Sequence, residues 1–222
     1  MKRIVLSDIH IGSKYYKAEE LTSFLKNEYY DQLILDGDIL DLIKSPMFTE
    51  RAYDLLSAID YSKEIIYVIG NHDIALLGFS GKDFFGIKFV EKFEFEEGGR
   101  KFRIEHGDKY EAGIIHYNFS MKIISIIQDW LEHSFNIDLT SWFVDRKMKK
   151  RKLRRIWDII DRNKDADVIV MGHSHCPEAI IWVDEKQNIK TYVNSGDWVS
   201  HQSYVEIIDG VIRLRSYESE NS

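Results

Sequence analysis

Residues 64–73 read EIIYVIGNHD. Ile65 to Ile69 form an unbroken apolar run of strand length, the pattern of a strand buried on both faces. The run ends in Gly70-Asn71-His72-Asp73, and a plain turn rarely needs three such side chains in succession. Two earlier stretches repeat the arrangement. Arg3 to Leu6 is a short β-branched run that turns polar at Ser7-Asp8, and Gln32 to Leu35 ends in Asp36-Gly37-Asp38. Between them, Lys17 to Lys26 places Leu21, Phe24 and Leu25 on one helical face, and Thr49 to Ile59 spaces Tyr53, Leu55, Leu56 and Ile59 as a second helix does. This β-α-β-α-β order predicts parallel strands joined by crossover helices, an α/β fold whose sites lie at the carboxyl ends of the strands.

Beyond residue 90 the pattern changes. Phe93–Glu96 and Lys101–Glu105 alternate around Gly98-Gly99, a hairpin signature. Residues 117–131 and 142–160 carry helical spacing, Asp167 to Met171 is another buried strand, and two more hairpins are expected, at 180–193 and at 204–215 around Asp209-Gly210. The expectation is one domain over 1–222, its parallel strands extended by antiparallel ones, with a helical insertion at about 112–162.

With 44% hydrophobic and 13% aromatic residues in 222, the chain can bury a large core. Two prolines and no Gly/Ser-rich run leave no linker to place. The lone cysteine, Cys176, excludes an internal disulfide and fits a reducing compartment. The opening MKRIVLSDIHIG is too short in apolar residues for a signal-peptide core and reads as a first strand; no stretch is apolar for long enough to span a bilayer. A cytoplasmic location is expected, with peripheral contact at the inner membrane left open. A net charge of −7 argues against a general nucleic-acid binder, although residues 146–155 (RKMKKRKLRR) hold eight basic residues in ten.

Five clusters carry the chemistry: Asp8-Ile9-His10, Gly37-Asp38, Gly70-Asn71-His72-Asp73, His106-Gly107-Asp108 and Gly172-His173-Ser174-His175. Each follows an expected strand and offers oxygen or imidazole donors but no thiolate. Taken singly, most are ordinary loop sequences; their joint occurrence at strand ends points to a metal site. In an extended segment residues i and i+2 point the same way, so Asp8 with His10, and His173 with His175, are each expected to converge. Imidazole and carboxylate donors suit manganese first, with iron or zinc as alternatives. Cys176 is expected to point away from the site occupied by its neighbour His175, and His116, His133 and His201 match no motif position.

The ordered set resembles the calcineurin-like metallophosphoesterase family, whose pattern is D-x-H, G-D, G-N-H-[DE], H, G-H-x-H, and every ligand position between residues 8 and 175 is filled. The resemblance implies a four-layer α-β-β-α sandwich of two mixed sheets. It also implies two divalent metal ions, one on Asp8, His10, Asp38 and His175 and the other on Asp38, Asn71, His106 and His173, with Asp38 bridging. A water activated by the metals would attack the phosphorus, His72 would donate a proton to the leaving group, and Asp73 would orient His72.

The stretch Tyr192 to Val199 (YVNSGDWV) and the helical insertion resemble the branch of the family that contains UDP-2,3-diacylglucosamine hydrolases of lipid A biosynthesis. That resemblance implies a cap holding acyl chains and a lipid-nucleotide diphosphate as substrate. Ser195, Asp197 and Trp198, with Lys149, Arg151 and Arg154 of the basic run, are the candidates to meet it. The chain departs from the branch at His72, where the lipid A hydrolases carry arginine. A nuclease or cyclic-nucleotide phosphodiesterase of the same family stays open. A non-catalytic scaffold is disfavoured because no ligand position is missing. The sequence does not give the oligomeric state.

Overall fold

The computed structural model describes residues 1–13, 15–41, 50–110 and 155–218. The chain divides into two compact units, Met1–Asp108 with Asp165–Ser222, and Lys109–Lys164. Most of the expected helical insertion, including Lys149, Arg151 and Arg154, lies outside the described residues.

The first unit holds two mixed sheets. Strands β1 (Lys2–Leu6), β2 (Gln32–Asp36) and β3 (Glu64–Val68) run parallel at the centre of a seven-stranded sheet of order β12-β11-β1-β2-β3-β5-β4. Its margins are β4 (Asp83–Phe84) and β5 (Ile87–Val90) on one side and β11 (Ser203–Ile208) and β12 (Val211–Ser216) on the other. The second sheet, of order β6-β7-β8-β10-β9, comprises β6 (Phe93–Glu97), β7 (Arg100–Ile104), β8 (Val168–Met171), β9 (Glu178–Val183) and β10 (Ile189–Asn194). Here β7, β8 and β10 are parallel, and β6 and β9 are antiparallel edges. The expected α/β architecture with two mixed sheets is the one that forms.

Strand periodicity divides the core in two. Ile4 and Leu6 of β1, Leu33 and Leu35 of β2, and Ile65 and Tyr67 of β3 share one cluster with helices α1 (Ala18–Asn27) and α2 (Glu50–Ala58). Val5, Ile34, Ile66 and Val68 point the other way and meet Phe102, Ile104, Val168, Val170 and Val193 of the second sheet. Each such side chain contributes about 1.5–3 kcal/mol on burial, so a one-residue slip in register would be prohibitive. In α1 the expected Leu21, Phe24 and Leu25 are the buried face, and the helix stops where Glu28 turns extended and donates its N–H to Phe24 O. The parallel strands of both sheets end at the same edge of their sheets, and the five clusters occupy the loops that follow β1, β2, β3, β7 and β8.

In the second unit, residues 155–162 are helical, and Asn163 donates to Tyr110 Oη and to Ile159 O at 2.8 Å each.

Candidate metal centre

The loops after β1 and β2 are stitched together by their main chains, Asp8 N to Gly37 O at 3.1 Å, His10 N to Asp38 O at 3.0 Å and Ile11 N to Ile39 O at 2.9 Å. Loops from the second sheet close on them. His173 N donates to Asp8 Oδ2 at 2.8 Å, and His106 Nδ1 donates to the Asp36 carbonyl at 3.0 Å. Two glycines make the approach possible. A Cβ on Gly172 would lie 2.5 Å from both Asp8 Oδ2 and Ser7 Oγ, and one on Gly37, at φ +73°, would run into the His106 ring.

These contacts bring together three groups whose ligand atoms lie within 4.8 Å of one another: Asp8, His10 and His175; His10, Asp38 and His72; and Asp38, His106 and His173. Asn71 joins the last through its Oδ1, 3.2 Å from His106 Nε2. Asp38 therefore stands between the two outer groups. The expected route to this convergence needs correction. Asp8, His10, Asp38, His173 and His175 have φ of 52°, 52°, 52°, 63° and 53°, so these loops are left-handed rather than extended. His173 and His175 also diverge, one to each outer group. Left-handed backbone in five bulky or charged residues is costly and clusters where function demands it.

The donor chemistry calls for cations. His106 Nδ1 gives its proton to a carbonyl, which leaves Nε2 as the ring atom turned toward the site. That atom faces two acceptors, Asp38 Oδ2 at 3.1 Å and Asn71 Oδ1 at 3.2 Å. In the other group, His10 Nε2 and His175 Nε2 stand 3.3 Å apart on stacked rings. Asp8 Oδ1 lies 3.2 Å from His175 Nε2 yet accepts no hydrogen bond. Lone pairs converging in a buried space are unfavourable unless a proton or a metal ion sits among them. The residues thus fit two divalent ions.

The electrostatics show the same tension. Burial raises the Asp38 carboxyl, but His106 beside it, with His72 and His10, outweighs burial and holds it well below the usual carboxylate range. Burial opposes charge on His106, yet Asp38 keeps its affinity for a proton well above normal. His10 is lowered by burial despite Asp8 and Asp38. Asp73 is pushed up to about 7 by burial and by the charge of Asp38.

Three residues expected to act on substrate have other surroundings. Trp198 is fully buried in the helix-side core, its ring 5.1 Å from Phe24 and 5.8 Å from Tyr217. Ser195, also fully buried, lies 2.7 Å from Ser7 Oγ, whose hydroxyl reaches Asp8 Oδ2 at 2.6 Å. Asp197 accepts Val199 N at 2.8 Å and His201 Nδ1 at 2.8 Å, and its Oδ2 lies 3.8 Å from His175 Nδ1. In these positions they brace the centre from behind. The expected pairing of His72 with Asp73 also differs. His72 Nδ1 pairs with Asp41 Oδ1 at 3.0 Å, while Asp73 accepts the N–H groups of Ile39 and Leu40 at 3.1 and 2.9 Å. Asp41 escaped the sequence reading because an acid three residues past Asp38 looks like any other loop aspartate.

The family model for calcineurin-like phosphoesterases matches residues 1–177. No curated protein gives a significant match to the sequence. Among solved structures, Vps29 of Chaetomium thermophilum is similar at 14% identity, over 100% of this chain and 88% of that one, with a TM-score of 0.52, a likeness of fold alone. A novel archaeal phosphodiesterase aligns at 13% identity over 98% and 100% of the two chains, with a TM-score of 0.46. A Thermotoga maritima protein solved by NMR aligns at 19% identity over 97% and 98%, also at 0.46.

Proposed function

The chain belongs to the calcineurin-like phosphoesterase family, and on that premise we propose that it hydrolyses a phosphodiester or diphosphate bond with two divalent metal ions. One ion is assigned to Asp8, His10, Asp38 and His175, the other to Asp38, Asn71, His106 and His173. The observation that carries this is the gathering of Asp8, His10 and His175 in one group and of Asp38, His106 and His173 in another, the ligand atoms of each within 4.8 Å of one another.

Two such ions, when bound, supply Lewis acidity to the phosphoryl oxygens and acidify a water. The chain does the rest. Asp38 would hold both ions, and Asp8 is fixed in place by Ser7 and His173 N. His72 is turned by Asp41 so that its Nε2 is left to donate a proton to the leaving oxygen. Burial opposes its charge, but Asp41 and Asp38 together raise its proton affinity above the ordinary histidine value, which suits a general acid. Asp73 holds the Ile39–Leu40 backbone against the His72 loop.

As substrate we propose a lipid-nucleotide diphosphate. This rests on the sequence YVNSGDWV at 192–199 and on the 3-10 helix Ile74–Phe79 (IALLGF), which begins directly after Asp73 and, while Leu76 and Phe79 pack partly against the core, leaves Ile74 and Leu77 exposed. The test is turnover of UDP-diacylglucosamine, bis-p-nitrophenyl phosphate, single-stranded DNA and a cyclic nucleotide with manganese, alongside Asp38→Ala. The proposal expects the first two to turn over and Asp38→Ala to lose metal and activity together. An active Asp38→Ala protein sinks the bridging role. Turnover of DNA or the cyclic nucleotide with the lipid untouched sinks the substrate assignment and keeps the phosphoesterase.

A further inference from the structure

Strand β10 runs parallel to β8, and the loop that follows it, Ser195-Gly196-Asp197, emerges at the same sheet edge as the five clusters. The loop lies beyond the family match at 1–177 and contributes no member to the three ligand groups. It is buried all the same, with Ser195 at 0% and Asp197 at 1% exposure. Trp198 N donates to Asp8 O at 3.3 Å and Ser203 Oγ to Ser195 O at 2.7 Å, which seats the loop against the cluster after β1.

Ser195 reaches Asp8 through Ser7. The Ser7 hydroxyl lies 2.6 Å from Asp8 Oδ2, 2.7 Å from Ser195 Oγ and 3.0 Å from Gly196 O. A hydroxyl has one proton, and a carboxylate oxygen holds it more strongly than a more distant carbonyl does. Ser7 therefore donates to Asp8. Ser195, with Met171 O farther off at 3.2 Å, donates to Ser7. Together with His173 N at 2.8 Å, this relay occupies Asp8 Oδ2. It leaves Oδ1, which accepts no hydrogen bond, turned toward His175 Nε2 at 3.2 Å.

Asp197 stands behind His175. Its Oδ1 accepts the main-chain N–H groups of Val199, Ser200 and His201, and its Oδ2 accepts His201 Nδ1 at 2.8 Å. Four donors thus fix the carboxylate, with Oδ2 3.8 Å from His175 Nδ1. That separation is an ion-pair contact and too long for a hydrogen bond. A negative charge there still favours the proton on Nδ1 and the lone pair on Nε2, the nitrogen that faces Asp8 and His10. The second group is backed differently. The His106 side chain is 1% exposed and its Nδ1 is tied to Asp36 O at 3.0 Å, whereas the His175 side chain is 42% exposed. Packing holds the first ring; the second needs a partner behind it.

We propose that Ser195 and Asp197 are positioning residues for the ion assigned to Asp8, His10, Asp38 and His175, and that they set its affinity apart from that of the ion on Asp38, Asn71, His106 and His173. The inference rests on the two-ion reading and deepens it, since one loop supports two ligands of a single ion.

The test is calorimetric titration of the metal-free full chain with manganese(II), for wild type, Ser195→Ala and Asp197→Asn, with elemental analysis after dialysis against limiting metal. Asp197→Asn keeps an oxygen for the three main-chain N–H groups and loses the charge behind His175. Ser195→Ala keeps the bond from its own N–H to Met171 O at 2.8 Å. Wild type is expected to take up two ions. Each variant should weaken one ion by about 10–100-fold, the usual loss when an outer partner of a ligand is removed, and leave the other close to wild type. The metal-free Tm of both variants should stay near that of the wild type. Unchanged affinities, or both ions weakened alike with a lowered metal-free Tm, overturn the inference and leave the two-ion reading standing. Fewer than two ions on the wild-type chain overturns the two-ion reading and the inference with it.

Discussion

Asp41 is nearly fully buried, three residues after Asp38, and its carboxylate receives His72 Nδ1 at 3.0 Å. Its effect on chemistry passes through His72, so it is a positioning residue. Asp41→Asn keeps an acceptor but removes the charge that raises the histidine. The expected result is a fall in kcat of about 10–10²-fold on esters with poor leaving groups, little change on activated aryl esters, and unchanged metal content. Metal loss in Asp41→Asn, measured by elemental analysis, would show that the residue shapes the centre instead. The clustering of Asp8, His10, Asp38, Asn71, His106, His173 and His175 was legible because aspartate, asparagine and histidine have few other reasons to gather at strand ends. Their left-handed backbone was not, because aspartate and histidine are only enriched at positive φ and mostly occur elsewhere. The burial of Ser195 and Trp198 was hidden for the same kind of reason: a buried side chain and one that faces a site look alike in sequence.

Among elements, the three two-residue hairpins of the described residues separate what sequence reveals from what it hides. Gly98-Gly99 between β6 and β7, and Asp209-Gly210 between β11 and β12, both have positive φ throughout and announce themselves by composition. Phe85-Gly86 adopts the same sign pattern with a residue no turn rule selects, so β4 and β5 went unread. Helix α1 was readable because Leu21, Phe24 and Leu25 repeat at helical spacing, and the structure adds the partners. Phe24 packs against Trp198, Tyr204 and Tyr217 at 5.1, 4.7 and 5.6 Å. Phe24→Ala is therefore expected to cost about 3–5 kcal/mol in chemical denaturation while leaving metal stoichiometry intact in the folded fraction. A loss under 1 kcal/mol would mean that this helix is not anchored as described.

The second sheet carries a pH-dependent contact. On β7, Arg103 donates to Asp165 at 2.9 and 2.6 Å and to Glu94 at 2.7 Å. The hydrogen bonds from Arg103 lead in holding the Asp165 carboxyl at about 2, below its ordinary 3.8. A depressed carboxylate adds stability that is fully present above its unfolded value and is lost as pH falls through the folded one. The window is therefore about pH 4 down to about pH 2. With the Asp165 side chain 53% exposed, solvent screening limits the contribution to about 1 kcal/mol or less. Asp165→Asn should lower stability by that amount at pH 6 and by only a small part of it at pH 2. A difference that persists unchanged to pH 2 would assign the effect to packing.

For the whole molecule, strand order was the least accessible feature. β11 enters beside β1 from the far end of the chain, with Lys2 paired to Ile208. No local pattern encodes a contact at that separation, and only the burial of Val205 and Ile207 with Val5 fixes it. Both sheets contribute to the centre, Asp8, His10, Asp38 and Asn71 from the first and His106, His173 and His175 from the second. Metal binding should therefore stabilise the unit that holds both sheets. At a free concentration one hundred times Kd the gain is about 2.7 kcal/mol per ion, and a chelator should lower Tm by several degrees in calorimetry. An unchanged Tm with metal demonstrably removed would mean that the two sheets are joined without help from the centre.

Gly37 and Gly172 carry this mutual dependence down to single atoms. Gly37 follows a strand of the first sheet and makes room for His106 of the second; Gly172 follows a strand of the second and makes room for Asp8 of the first. Each ligand is seated on backbone that belongs to a different motif. The centre is therefore portable only as a set. A loop grafted alone onto another scaffold would carry its donors but leave behind the hollow that holds them. A single added methyl, as in Gly172→Ala, would disarm a centre in which every donor is still present.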